Sequence, residues 1–246
     1  MTEEPEFDRE GVLDLLGRPV NASLEECQHP WGNSTLSPTL DTPFMRLWDG
    51  VSGSPLLKND RMFARLRRQS LDTREDRVEY LKIHADYQRW EPTPFISFTD
   101  SEVTIEELAN KRPKSQKRGP HTLTVINPNV RHHLGLPILQ MKTELLHYRV
   151  PDPYGRGYAL YKREYLCLYE VTPQEVVGKW DWDDLLHEKN WYQAIILPAF
   201  TEHDKKFQAA KAGLMDMAIL QDALPRLETS GSLEVEAGSS EDYDKV

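Results

Sequence analysis

A chain of 246 residues with a formal net charge of -10 is long enough to bury one sizeable core, and its acidic balance excludes broad, sequence-independent nucleic-acid binding, which rests on clustered Lys and Arg. Two cysteines, Cys27 and Cys167, are too few for a disulfide framework and point to a reducing compartment. The opening Met1-Thr2-Glu3-Glu4-Pro5-Glu6 is acidic where a signal peptide needs a basic start, and no later stretch reaches membrane-spanning length. The expectation is an intracellular protein, cytoplasmic or nuclear, without a membrane partner. Asn21-Ala22-Ser23 and Asn33-Ser34-Thr35 then read as chance matches to the glycosylation pattern.

In chain order, residues 1–40 are rich in Glu, Pro, Asn, Ser and Gly and read as a mostly flexible leader, with one apolar patch, Val12-Leu13-Asp14-Leu15-Leu16, able to make a short docking helix. Phe44 to Asp49 has the length and mixture of a strand, with Arg46 inside it, and Gly50 to Pro55 closes it as a turn-rich loop. Arg61 to Arg89 reads as mostly helical, with Phe63, Leu66, Val78, Leu81 and His84 on its inner face. Thr93-Pro94-Phe95-Ile96-Ser97-Phe98-Thr99-Asp100-Ser101 predicts strand and sharp turn, and the Glu-rich stretch after it a helix capped at Asp100-Ser101. Strand alternation puts Ser97 and Thr99 on one face, a place for a polyhydroxyl ligand, although Ser and Thr beside a helix start also serve as caps and turn formers.

The basic run from Lys111 to Arg118 fits an import address, an anion patch or a solvated helix end. His121 to Asn127 is the clearest strand, and Val130 to Tyr148 holds a helix or short strand near Leu145. Pro151 to Gly157 is an exposed loop, and Arg163 to Val171 one long strand with Glu164 near its start. Trp180, Trp182, Trp191 and Tyr192 make an aromatic cluster. Asp204 to Leu224 carries Phe207, Ala210, Leu214, Met217 and Ala218 at helical spacing, a core-facing stripe closed by Pro225. Residues 226–246 read as a disordered acidic tail.

Arg46, Ser97 and Glu164 thus sit on three separate strands in the order R-S-E. At Phe44-Met45-Arg46-Leu47-Trp48-Asp49, at Thr93 to Ser101 and at Glu164-Tyr165-Leu166 onward, with His84 and Trp90 ahead of the middle strand, the chain resembles the ADP-ribosyltransferase-like fold. It resembles more closely a fungal family of uncharacterised domains related to that fold. The likeness spans about Thr42 to Trp180. It implies a single α+β domain over 41–225, with a split, mostly antiparallel sheet flanked by helices.

The resemblance also implies NAD as substrate, with no metal. Glu164 would be the catalytic carboxylate, meeting the positive charge that builds on the ribose as nicotinamide leaves. Ser97 would hold that carboxylate or the ribose, Arg46 would pair with a phosphate or the adjoining ribose, and Thr99 would support the turn. Family members that modify arginine or nucleobases carry Glu or Gln two residues before the catalytic Glu, where this chain has Lys162. The acceptor is therefore expected to be a protein rather than a nucleic acid, or water. A catalytically inactive scaffold acting as a protein-interaction module is the alternative, in which Arg46 pairs with Asp49 or another surface acid and Glu164 with Arg163 or Lys162.

Overall fold

The structure is a computed structural model and describes residues 8–17, 31, 40–112 and 118–228, from 214 onward by backbone alone. Both glycosylation-like matches, Cys27, the middle of the basic run and the acidic tail from 229 lie outside the described residues.

Among the described residues eight strands form: β1 (Phe44–Trp48), β2 (Met62–Phe63), β3 (Phe95–Thr99), β4 (Thr122–Ile126), β5 (Ile138–Gln140), β6 (Glu164–Leu168), β7 (Glu170–Val171) and β8 (Val176–Asp181). Six of them make one sheet in the order β5-β6-β3-β1-β4-β8, and β2 pairs with β7 in a second sheet. Every pairing is antiparallel. The α-helices of the described residues are α1 (Arg9–Leu16), α2 (Arg74–Ala85), α3 (Glu102–Lys111), α4 (Pro128–His133), α5 (Met141–His147), α6 (Trp182–Leu185) and α7 (Leu197–Glu228). Short polar side chains close the orphan amides of their first turns: Asp8 accepts from Gly11, Thr73 from Asp76, and Ser101 from Thr104. The protein is an α+β domain with a split, antiparallel sheet flanked by helices.

The split lies between β1 and β3. β1 is laddered to β4 from Phe44 to Trp48, and β3 to β6 from Phe95 to Thr99, but β1 and β3 meet only at Met45 and Thr99. Side-chain alternation divides the core accordingly. Phe95, Leu166 and Leu168 join Leu81, Leu139, Leu145 and Tyr161 in one apolar cluster, whereas Met45 and Leu47 join Leu123, Val125, Ile105 and Trp191 in another. Phe44, Ile96, Phe98, Ile126 and Cys167 pack together on the other face. The α1 patch is seated as well: Val12 and Leu16 are buried in the first cluster, where Trp31 also packs.

Three elements differ from the sequence reading. Arg61 to Arg89 is not mostly helical: Met62–Phe63 pairs with Glu170–Val171, and the helix waits for the Thr73 cap and ends at Ala85. The long strand from Arg163 breaks at Tyr169, whose φ of 59° turns the chain out of the large sheet and into the small one. α7 continues through Pro225 to Glu228, past the stop expected at the proline. Phe207 is half-buried and Ala210 exposed; the side chains of Leu214, Met217 and Ala218 lie outside the described residues. The chain divides into two compact units, Met1–Asp204 and Lys205–Val246. Sheet, core and candidate site all belong to the first.

Candidate functional site

The register places Ser97, Thr99 and Glu164 on the face shared by the first and third apolar clusters, at the seam between them. Thr99 lies directly opposite Glu164. α2 supplies the next layer: Leu81 and Ala85 are buried in the core, and that anchoring turns His84, three residues on from Leu81, toward β3. His84 Nε2 lies 2.7 Å from Ser97 Oγ, and its Nδ1 lies 2.8 Å from Thr93 Oγ1. The Ser97 hydroxyl also hydrogen-bonds the Glu164 carboxylate. The Tyr87 hydroxyl, one turn beyond His84, donates to Glu164 Oε2 at 2.8 Å.

Protonation follows from these partners. Burial, and then the nearby Arg46 and Arg65 guanidinia, pull His84 down to about 3, so the imidazole is neutral near pH 7. Its 3.9 Å approach to Glu164 Oε1 is therefore not an ion pair. Burial raises the Glu164 pKa, while hydrogen bonds from Ser97 and Tyr87 and the charge of Arg46 oppose that rise. A carboxylate only accepts, so Ser97 gives its single proton to Glu164, its oxygen accepts from His84 Nε2–H, and Nδ1 accepts from Thr93. Tyr87 is pushed well up, by burial and then by Glu164, and stays a donor. Five side chains form one relay ending on a single buried carboxylate.

Arg46 reaches this seam from the other side. Strand alternation turns it toward the face of Phe44 and Trp48, and its guanidinium donates to Ser97 O at 3.0 Å and Gly53 O at 2.5 Å across the gap that β1 and β3 leave. Arg46 Nε is buried with no hydrogen-bond partner. Burial, and then repulsion from Arg112, lowers this guanidinium to about 10. Thr99 Oγ1 accepts from Ser101 N at 3.2 Å and holds the turn into α3. Ser97, Thr99 and Glu164 are thus side by side, with Arg46 joined to them through a backbone carbonyl.

The ordinary pairings weighed for these residues do not form: Asp49 is held by Arg118 at 2.8 Å, and Arg163 binds Asp100 at 2.7 Å. Lys162 is exposed. Spacing alone pointed to His84 as an inward residue, but nothing in it signalled that Tyr87 and Thr93 would close the relay. Both lie in the irregular stretch between α2 and β3. Among the described residues no cluster of His, Cys, Asp and Glu fits a metal ion.

A family model described as a domain of unknown function, DUF7587, matches residues 45–185, more than half of the chain. The protein belongs to the DUF7587 family. The match takes in Arg46, His84, Tyr87, Ser97, Thr99 and Glu164. No curated protein matches this DUF7587 member. Among solved structures, a chain titled EcPltA is similar at 11% identity and a TM-score of 0.31, over 58% of this chain and 79% of that one.

Proposed function

We propose that this DUF7587 protein binds NAD at the split between β1 and β3 and uses Glu164 to promote cleavage of the bond between nicotinamide and ribose. The observation that carries the reading is the buried Glu164 carboxylate, fixed by the Ser97 and Tyr87 hydroxyls, with neutral His84 behind Ser97 and the Arg46 cation across the gap. The electron pair of the breaking bond leaves with neutral nicotinamide. The acceptor, a protein side chain or water, forms the new bond to the ribose and yields its proton to solvent. Glu164 stabilises the positive charge developing on the sugar, and Ser97, steadied by His84, keeps the carboxylate in place. The residues fit an anionic dinucleotide because Arg46 keeps one buried N–H without a partner. The likeness to ADP-ribosyltransferase-like proteins and to fungal relatives, a protein acceptor, and a cytoplasmic or nuclear setting belong to the same proposal.

A second reading, an inactive scaffold that binds a protein partner, is favoured by one observation: the guanidinium of Arg46 is spent on two carbonyls, and Glu164 is already satisfied by Tyr87 and Ser97. Titration with NAD while monitoring nicotinamide release separates the two. Catalysis predicts release that Glu164→Gln reduces by at least about a hundredfold, while thermal unfolding shifts by no more than about 1 kcal/mol, since the amide keeps the shape and loses the charge. Absence of release, or unchanged release in the variant, removes the enzymatic reading.

A further inference from the structure

Beside the relay lies a second group of side chains that cleavage does not require. Gly53 stands between two arginines. Its carbonyl takes the Arg46 guanidinium, and a Cβ built on it would lie 2.9 Å from Arg65 Cδ, so the missing side chain is what lets the Arg65 stem pass. Arg65 then runs to the stretch ahead of β3, where it donates to Trp90 O at 2.6 Å and Glu91 O at 2.5 Å, with its guanidinium 4.7 Å from the centre of the Trp90 ring. Trp90 is 67% exposed, more than any other large apolar side chain of the described residues. The carboxylate of Glu91 is turned away and held by Arg89 at 2.8 Å.

A glycine that lets two guanidinia approach, and an aromatic ring left in solvent beside one of them, are poor choices for stability. Like charges repel, and an exposed indole forgoes burial. They suit an anion flanked by a flat base. Resting on the NAD reading, we infer that Arg65 and Trp90 form the subsite for the adenosine diphosphate half of the dinucleotide, with the diphosphate between Arg46 and Arg65 and the adenine stacked on Trp90. Gly53 fixes the arrangement: its carbonyl takes Arg46 on one side and the Arg65 stem passes its Cα on the other. The carbonyls of Trp90 and Glu91 take one N–H from each terminal nitrogen of Arg65 and fix its guanidinium in place, leaving its charge and remaining N–H groups for phosphate oxygens, and base stacking on an aromatic side chain adds affinity without needing base-edge hydrogen bonds.

ADP, which lacks the nicotinamide riboside, tests this half alone. Calorimetric titration of the full chain with ADP, repeated with pyrophosphate, is expected to show binding of both. Trp90→Ala should weaken ADP about tenfold and leave pyrophosphate unchanged, and Trp90→Phe should restore most of the loss. Arg65→Gln should weaken both ligands about tenfold, with Arg65→Lys intermediate because it keeps the charge and loses the planar group that the Trp90 and Glu91 carbonyls hold in place. Thermal unfolding of each variant distinguishes lost binding from lost structure. Failure of ADP to bind the intact protein, or ADP affinities in the folded Trp90→Ala and Arg65→Gln variants equal to wild type, overturns the assignment. The outcomes separate the two readings: nicotinamide release with an unchanged KM in these variants keeps the NAD reading and discards the subsite, whereas ADP binding lost in them without any release keeps the subsite and discards catalysis.

Discussion

His84 carries the most information of any residue in the site, because its neutrality decides what the relay can do. A charged imidazole would draw the Glu164 carboxylate to itself, whereas a neutral one donates through Nε2–H to Ser97 and leaves the carboxylate for a ligand. That neutrality has a pH signature. His84 falls from an ordinary 6.5 to about 3 on folding, so between those values only the unfolded chain takes up the proton, and stability drops as pH falls through this window. Above about pH 6.5 both states are neutral and the contribution vanishes. Glu164 acts in the opposite sense, since its raised pKa lets the folded state protonate first and acidification relieves its burial. Melting temperatures of wild type and His84→Gln measured from pH 7 to 4 should therefore converge on acidification, the wild type losing on the order of a few kcal/mol more. Parallel curves would mean that His84 titrates normally in the fold.

At the level of elements, the corner at Tyr169 decides whether the large and small sheets form together. Arg131, fully buried, donates to the carbonyls of Leu168 and Glu170 on either side of that corner, and to Glu175 Oε2 at 2.9 Å. It replaces the ladder bonds that the turn at Tyr169 interrupts. Arg131→Met, which roughly preserves volume, should cost about 3–5 kcal/mol because it strands the Glu175 carboxylate, whereas adding Glu175→Gln should recover part of that loss. Chemical denaturation of the single and double variants measures both, and additive losses would show that the pair is not coupled. Neither Arg131 nor the corner was legible in the sequence. A single Tyr in the left-handed region has no compositional signal, and a buried Arg in an apolar stretch of no steady period looks like a solvent-facing one. The strands β1, β3, β4 and β6 were legible from alternation and β-branched or aromatic content, and so were the Ser101 cap and the placing of Ser97 and Thr99 on one face; that Glu164 lies opposite Thr99 depends on strand pairing, which the sequence does not carry. Arg46 was legible as a strand residue, but its route across the split depends on the register of β1 against β3, which only three-dimensional pairing sets. Tyr87, Thr93, Arg65 and Trp90 lie in or beside irregular stretches, where spacing carries no directional information.

For the molecule as a whole, the unit Met1–Asp204 gathers cations at its site although the chain carries a net charge of -10. Arg46, Arg65 and Arg112 are close enough that Arg65 and Arg112 both depress Arg46, and Arg112 is itself tied to Leu47 O at 3.0 Å. If these cations hold a phosphate, as proposed, that attraction is short-ranged against a chain whose net charge is -10. On the proposed reading, a nucleotide would be repelled at a distance before it is held at the split. Encounter should then respond to salt in the reverse of the usual direction for phosphate binders: raising ionic strength from about 0.01 to 0.1 M shortens the screening length from about 30 to about 10 Å, which removes the distant repulsion and leaves the contacts at the split largely intact. Stopped-flow association of ADP, followed by the part of the tryptophan fluorescence change that Trp90→Phe removes, should speed up over that range. A rate that falls instead would show that the recessed arginines project their field beyond the acidic surface, and that ligand capture begins in solution rather than at the mouth of the split.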